Sequence, residues 1–215
     1  MALTFDDGPN GQCTTDVLDA LAATTAPATF FLVGAFVDLA RDDVLLARMA
    51  REGHTIGVHA YWHNAVRRTF FADLTATDIQ ATVESVGRAF ARAGAAAPPI
   101  TYYRPPFGFL TRATQRGVAL AGFTLVTWSL SVEDWPHWRR AQDIVDPIVA
   151  QVKAGDVIVL HDGNESGPHL GPACFDHPAL GDAVRLLVPA LRARGLEPTP
   201  LADVLSINHS AAAAP

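Results

Sequence analysis

Short strand-like runs alternate with helical segments along almost the whole chain, and this alternation limits the possible folds more than any other feature. The runs are apolar and rich in β-branched or aromatic residues, whereas the segments between them carry apolar residues at helical spacing. The predicted strands are Ala2–Phe5, Ala28–Val33, Thr55–Val58, Ile100–Tyr103, Thr124–Trp128 and Val157–Leu160. The predicted helices are Thr15–Ala23, Val37–Arg51, Thr77–Ala93, Thr111–Ala121, Ala141–Val152 and Leu180–Arg194. This repetition predicts an α/β protein with a parallel sheet covered by helices.

Six or more strand–helix units in one domain favour a barrel over an open, doubly wound sheet. The 215 residues, 49% of them hydrophobic, can form one large core, so we expect a single domain over residues 1–207. The segment Asn208–Pro215, with four consecutive alanines, is predicted to be a disordered tail. Helix ends are marked by glycines, where a left-handed cap is needed: Gly53, Gly94, Gly122, Gly155 and Gly195.

Composition and charge exclude several classes of partner. The net charge of −6 and the pI near 5.7 argue against a nucleic-acid-binding protein. No apolar run reaches about 18 residues, so no membrane span is predicted. The first residues show no basic and apolar regions of a signal peptide, which leaves a cytoplasmic protein and a trimmed exported form both open.

Cys13 and Cys174 lie in loop-like surroundings, where a disulfide and two free thiols are both possible.

Polar or charged clusters follow nearly every predicted strand. In parallel α/β barrels the segments that follow the strands gather on one face and build the active site. Two of the connecting loops are long, at residues 64–74 and 164–178, and long loops are where substrate selection usually lies. The clusters are Asp6-Asp7, Gly34, His59 to His63, Arg104, Asp134-Trp135 and His161-Asp162.

A metal site is predicted at the end of the first and third strands. His59 and His63 are four residues apart, a spacing that places both imidazoles on one side of a helical turn. With Asp7 as a third ligand, positions remain open for water and substrate, which is typical of a catalytic site. The neighbouring Asp6 can then act as a base. His54, before the third strand, is interpreted as structural.

The remaining clusters supply the other groups that a metal-assisted hydrolase needs. Arg104, held by Pro105 and Pro106, can pair with Asp6 and keep it ionised, and the N–H of Phe107 can donate to a developing oxyanion. His161 can protonate a leaving group. Asp134 can bond the second ring nitrogen of His161 and raise its pKa, and Trp135 can form a wall of the pocket. The cation would polarise a carbonyl and lower the pKa of water.

The ordered motifs Thr4-Phe5-Asp6-Asp7-Gly8-Pro9, His59-x-x-x-His63, Arg104-Pro105-Pro106-Phe107-Gly108, Asp134-Trp135 and Leu160-His161 closely resemble those of the polysaccharide deacetylases. These are the enzymes of carbohydrate esterase family 4, which share the NodB homology domain. The resemblance implies a distorted (β/α)7 barrel and a divalent cation, usually zinc and sometimes cobalt, manganese or nickel. It also implies a base at Asp6, metal ligands at Asp7, His59 and His63, and an acid at His161, with Arg104 and Asp134 positioning the base and the acid. Trp135 and Leu160 would form the wall around the acetyl methyl group.

The resemblance implies N-deacetylation of N-acetylglucosamine polymers such as peptidoglycan or chitin, or O-deacetylation of xylan. Ser131 stands where many members have another aspartate, and Phe107 stands where the motif has tyrosine. The residues Ala60, Tyr61 and Trp62 between the two histidines are bulkier than those common there, and together with the insert Arg67–Phe71 they are predicted to reshape the groove. An intracellular small-molecule deacylase and an inactive glycan-binding module are the other hypotheses. We expect a monomer.

Overall fold

Seven parallel strands form one curled sheet in the computed structural model, which describes residues 1–64, 68 and 70–212. The strand order is β5-β4-β3-β2-β1-β7-β6, so the first strand lies near the middle and β5 and β6 form the two edges. The strands are β1 (Ala2–Gly8), β2 (Ala28–Leu32), β3 (Thr55–Val58), β4 (Tyr102–Tyr103), β5 (Thr124–Leu125), β6 (Leu130–Ser131) and β7 (Val157–His161). This arrangement confirms the predicted α/β fold and its distorted seven-stranded barrel.

Eight α-helices connect or follow the strands among the described residues. They are α1 (Gly11–Thr24), α2 (Gly34–Ala40), α3 (Asp43–Arg51), α4 (Ala72–Arg92), α5 (Arg112–Leu120), α6 (Ala141–Gln151), α7 (Leu180–Ala193) and α8 (Leu201–Ala212). The five glycines predicted to end helices all have positive φ, between 68° and 87°, as a left-handed cap requires.

Several predicted boundaries are wrong. The predicted helix Val37–Arg51 is two helices, because Arg41 adopts a left-handed conformation with φ of 52° and ends α2. The predicted strand Thr124–Trp128 is only two residues long, and β6 was not predicted. Helix α8 extends to Ala212, into the segment predicted to be disordered; the last three residues of that segment lie outside the described part.

The core is built around β1, whose seven residues are all buried. A central strand of a parallel sheet is covered on both sides, which explains its nearly continuous apolar sequence. Phe5 stacks on Phe30 of β2 with ring centroids 5.2 Å apart. The apolar faces of α1, α6 and α7 complete the same cluster. None of the described helices is both long and apolar enough to cross a membrane.

The two cysteines form a disulfide, which selects one of the two possibilities left open by the sequence. Cys13 and Cys174 are 161 positions apart, and the bond joins α1 to the loop that precedes α7. Cys13 lies within α1 and is buried, so the prediction that both cysteines lie in loops is wrong for Cys13.

Two adjacent leucines on α7 provide a test of which face of the helix is buried in the core. Leu187 is fully buried, whereas Leu186 is 47% exposed. Leu187→Ala is expected to lower the free energy of unfolding by about 2–5 kcal/mol, because it removes buried methyl groups and leaves a cavity. Leu186→Ala is expected to change it by less than about 0.5 kcal/mol. Urea denaturation measures both, and equal losses would contradict the assignment of the buried face.

Candidate metal and catalytic site

At the barrel mouth, the ends of β1 and β7 place a carboxylate and an imidazole side by side. The two strands are paired in register, with Asp6 opposite His161 and Phe5 opposite Leu160. Successive side chains on a strand face opposite sides, so Asp6 and His161 share one face and their neighbours share the other. Leu160 is therefore fully buried in the apolar core and does not line the cavity, and the prediction that it forms the pocket wall is wrong.

Asp7 leaves the strand and turns towards the two predicted histidines. Its φ of 71° is left-handed, which separates its side chain from that of Asp6. Asp7 Oδ1 lies 3.1 Å from His63 Nε2 and 3.4 Å from His59 Nε2. One ligand atom from each of the three residues lies within 4.8 Å of the others. The predicted metal ligands therefore come together in space.

The donor set fits a divalent cation. Asp7 Oδ1 is buried and has no hydrogen-bond partner among the described residues, so a positive ligand would satisfy it. His59 Nδ1 lies 2.8 Å from the carbonyl oxygen of Arg104. Because a carbonyl only accepts, Nδ1 carries the proton, and the lone pair of Nε2 is left for a metal. One carboxylate and two imidazoles are a typical catalytic set that leaves coordination positions open.

The protonation states of the three ligands also favour a cation. Burial lowers the pKa of His59 to about 4 and that of His63 to about 3, so both rings are neutral at pH 7. Burial raises the pKa of Asp7 to about 7, and the nearby carboxylate of Asp6 adds to the rise, while His161 opposes it. Without a cation, the Asp7 carboxyl is thus partly protonated at neutral pH.

Asp6 is held by a fully buried arginine. Arg104 Nη1 donates to Asp6 Oδ1 at 2.7 Å and to Thr4 Oγ1 at 2.8 Å, and Nη2 donates to the carbonyl oxygen of Thr127 at 3.1 Å. The guanidinium also lies over the ring of Phe31, 4.1 Å from its centroid. These contacts fix the orientation of the Asp6 carboxylate.

His161 is paired with Asp134. The ring Nδ1 lies 2.8 Å from Asp134 Oδ1, and the backbone N–H of His161 donates to Asp134 Oδ2 at 2.7 Å. Burial lowers the pKa of His161, but the carboxylate of Asp134, together with those of Asp7 and Asp6, outweighs burial and raises the pKa to about 10. Trp135 packs edge to face on His161, with ring centroids 5.6 Å apart.

Phe107 lies on the opposite side of the mouth. It is the middle residue of a 3₁₀ turn, Pro106–Gly108, and has a left-handed φ of 56°. Its exposed ring lies edge to face on His63, with centroids 4.5 Å apart. The role of its N–H as an oxyanion donor stays a prediction.

A cavity of 640 Å³ at the mouth of the barrel is lined by most of these groups, namely Asp6, Asp7, His59, His63, Phe107, Trp135 and His161, whereas Arg104 and Asp134 lie behind its surface. Two of its walls were missed by the sequence analysis. His177 is buried, and its Nε2 lies 2.5 Å from the carbonyl oxygen of Gly163. A Cβ on Gly163 would lie 1.8 Å from the carbonyl oxygen of Asp7, so only glycine fits at this position next to Asp7. Asp162 is fully buried behind Asp7 and accepts a hydrogen bond from the Thr14 hydroxyl.

His54, which was interpreted as structural, lies away from this cavity. Its Nδ1 accepts from the Ala28 N–H at 3.2 Å, so it supports the start of β2. The predicted reshaping of the groove by the insert Arg67–Phe71 falls partly outside the described residues, which omit 65–67 and 69.

The fold is a parallel α/β barrel with a carboxylate and two imidazoles grouped at its mouth. A second carboxylate, held by an arginine, and a third imidazole lie beside this group. Such an arrangement is typical of the metal-assisted hydrolases. The family profile of the polysaccharide deacetylases matches residues 1–126. The chain belongs to the polysaccharide deacetylase family, as its five motifs predicted. The family is metal-dependent, and this chain has the matching Asp-His-His group.

Individual relatives agree with this assignment. A chitooligosaccharide deacetylase from Bradyrhizobium sp. is 36% identical over 202 residues, which cover 93% of this chain and 87% of that protein. A peptidoglycan-N-acetylglucosamine deacetylase from Bacillus cereus is 29% identical over 211 residues, with coverages of 97% and 89%. The solved structure of a family 4 acetyl xylan esterase from Clostridium thermocellum, in complex with a cobalt ion, aligns with a TM-score of 0.76 and 28% identity, covering 96% of this chain and 90% of that one.

Metal binding is expected to weaken as the pH falls. In the metal-free protein the pKa of Asp7 is about 7, so below that pH a proton must leave before the carboxylate can bind a cation. The apparent affinity for Zn²⁺ should therefore fall by up to about tenfold per pH unit below pH ~7. Calorimetric titrations at several pH values, in buffers of different ionisation enthalpy, measure the affinity and the protons released.

Two histidine variants provide the comparison for this titration. His63→Ala is expected to abolish tight Zn²⁺ binding, whereas His54→Ala, which removes an equally buried ring outside the cavity, should retain it. An affinity that is constant between about pH 6 and 8 would contradict the state assigned to Asp7. Equal losses in the two variants would contradict the ligand set.

Proposed function

We propose that the protein hydrolyses acetyl groups from N-acetylglucosamine residues of chitooligosaccharides or peptidoglycan-type glycans. One observation carries this proposal. Asp6 and His161 line the same cavity as the Asp7, His59 and His63 cluster, and each is held from behind by a buried partner, Arg104 for Asp6 and Asp134 for His161. The activities named for the Bradyrhizobium and Bacillus cereus relatives supply the substrate class.

Asp7, His59 and His63 would hold the cation, for which we propose Zn²⁺, with Co²⁺, Mn²⁺ or Ni²⁺ as substitutes. The mixed nitrogen and oxygen donors suit Zn²⁺. Bound there, the ion would polarise the acetyl carbonyl and lower the pKa of water. The two imidazoles are neutral at pH 7 because burial lowers their pKa, and so they need lose no proton to serve as ligands.

Asp6 acts as the general base in this proposal. Its Oδ2 lies 3.9 Å from His59 Nε2, next to the ligand cluster, while its Oδ1 is occupied by the Arg104 guanidinium. Arg104 therefore orients one carboxylate oxygen and leaves the other free to take a proton from the attacking water.

His161 acts as the general acid. The pKa of about 10 keeps its ring protonated at neutral pH, and Asp134 holds Nδ1, so Nε2 carries the proton for the departing amine. Trp135 covers one side of the ring with an edge-to-face contact. The Phe107 N–H would donate to the oxygen that gains charge during attack.

O-deacetylation of xylan is the second candidate. The cobalt-bound acetyl xylan esterase of Clostridium thermocellum has the same fold at 28% identity. The same base and acid would serve an ester, with an alcohol in place of the amine as the leaving group.

Acetate release from chitotetraose, peptidoglycan and acetylxylan tests the proposal directly. We expect release from the N-acetylglucosamine substrates, and we expect a chelator to abolish it. Asp6→Asn should lower kcat by about 10²–10⁴ while retaining the metal, because it removes the base but no ligand. Release from acetylxylan alone would favour the second candidate, and near-full activity of Asp6→Asn would contradict the assignment of the base.

The pH–rate profile tests the role of Asp134. Its carboxylate raises the pKa of His161, so Asp134→Asn should lower that pKa. The protonated form of His161 is then lost at lower pH. The alkaline limb of the kcat/KM profile should therefore shift to lower pH by at least about one unit. Asp146→Asn, which changes an exposed carboxylate on α6, is the matched control and should leave the profile in place. A shift towards higher pH would contradict the pairing.

A further inference from the structure

A second cavity adjoins the catalytic one on the side of α2. Its volume is 430 Å³, and it shares His63, Glu165 and Ser166 with the catalytic cavity. A ligand longer than one sugar ring could therefore occupy both without leaving the groove. The other walls come from α2, including Phe36 and Asp38, and from Tyr61 and Trp62.

Two exposed large apolar residues line this second cavity, Leu39 and Trp62. Trp62 is 52% exposed, although it directly precedes His63 of the candidate metal group. Because it lines a cavity that adjoins the catalytic one, the indole is accessible to a ligand that extends beyond the catalytic cavity. A flat aromatic face next to polar groups is a typical surface for binding a sugar ring.

The indole is held in place by an anchored neighbour. Trp62 packs edge to face on Tyr61, with ring centroids 5.2 Å apart. The Tyr61 hydroxyl donates to Asp38 Oδ2 at 3.0 Å, and Asp38 also accepts from Ser85 at 2.7 Å and from Arg88 at 3.0 Å. This network joins the turn between the two histidines to α2 and α4. The platform is thus ordered before a ligand arrives, which lowers the entropy lost on binding.

The polar groups of the cavity select the chemistry of its occupant. Among the described residues, its walls carry the carboxylate of Glu165, the amide of Asn64 and the hydroxyl of Ser166, with no lysine or arginine, while the carboxylate of Asp38 is occupied by Tyr61, Ser85 and Arg88. The Glu165 carboxylate disfavours an anionic occupant, and the carboxylate, amide and hydroxyl offer hydrogen bonds to hydroxyl and amide groups. A neutral, polyhydroxylated ring satisfies both conditions.

We propose that this second cavity is a subsite for the sugar next to the one that loses its acetyl group, with Trp62 as its platform. The proposal rests on the function proposed above, because it requires an oligosaccharide in the catalytic cavity. In this proposal, Trp62 determines how strongly the protein prefers longer oligosaccharides over a single sugar. It contributes to binding of oligomers and little to binding of a single N-acetylglucosamine.

Binding measurements in the metal-loaded Asp6→Asn protein test this independently of turnover. Calorimetry would give the Kd of chitotetraose and of N-acetylglucosamine with and without Trp62→Ala. We expect the Kd of chitotetraose to rise by roughly tenfold and that of the monomer by less than about twofold. Trp62→Phe should restore most of the affinity, since it keeps an aromatic face. Trp138→Ala, which removes a 73% exposed tryptophan outside both cavities, should change neither Kd.

The outcomes separate this proposal from the proposed function. Equal losses for the tetramer and the monomer would overturn the subsite, since Trp62 would then act through His63. An unchanged Kd for the tetramer would overturn it as well. If the wild-type protein released no acetate but Trp62→Ala still weakened tetramer binding selectively, the proposed function would fail and the subsite would stand.

Discussion

The buried ion pair between Arg104 and Asp6 is the interaction on which the barrel mouth depends. It joins the end of β4 to β1 across 98 positions of sequence, and both side chains are almost fully excluded from water. Pairing of its donors stabilises a buried guanidinium, and here Thr4 and Thr127 accept from Nη1 and Nη2, whereas Nε has no hydrogen-bond partner among the described residues. Losing either partner of such a pair typically costs about 3–5 kcal/mol, because the other charge is left buried alone.

The same residue connects the proposed base to the candidate metal site. The backbone carbonyl of Arg104 accepts from His59 Nδ1, while its side chain holds Asp6. One residue directly after β4 therefore fixes both the carboxylate that we propose as the base and the ring that we propose as a metal ligand. This coupling explains why the rigid Pro105–Pro106 segment follows directly: the backbone and the side chain of Arg104 must be positioned together.

The sequence predicted the parts of this site that follow strands. Asp7, His59 and His63 could be grouped because strand ends of a parallel barrel meet at one face. Gly163 and His177 could not be found that way, since their importance lies in contacts with Asp7 and with each other that only the folded chain brings about. Leu160 was misassigned because a motif gives neighbours in sequence but not the side of the strand that each one faces.

The disulfide between Cys13 and Cys174 attaches the segment before α7 to α1. That segment contributes Glu165 and Ser166 to both cavities and Asp176 and His177 to the catalytic one. A wall that is cross-linked to α1 is restrained from moving away from the barrel, so the tether limits how far this side of the two cavities can open.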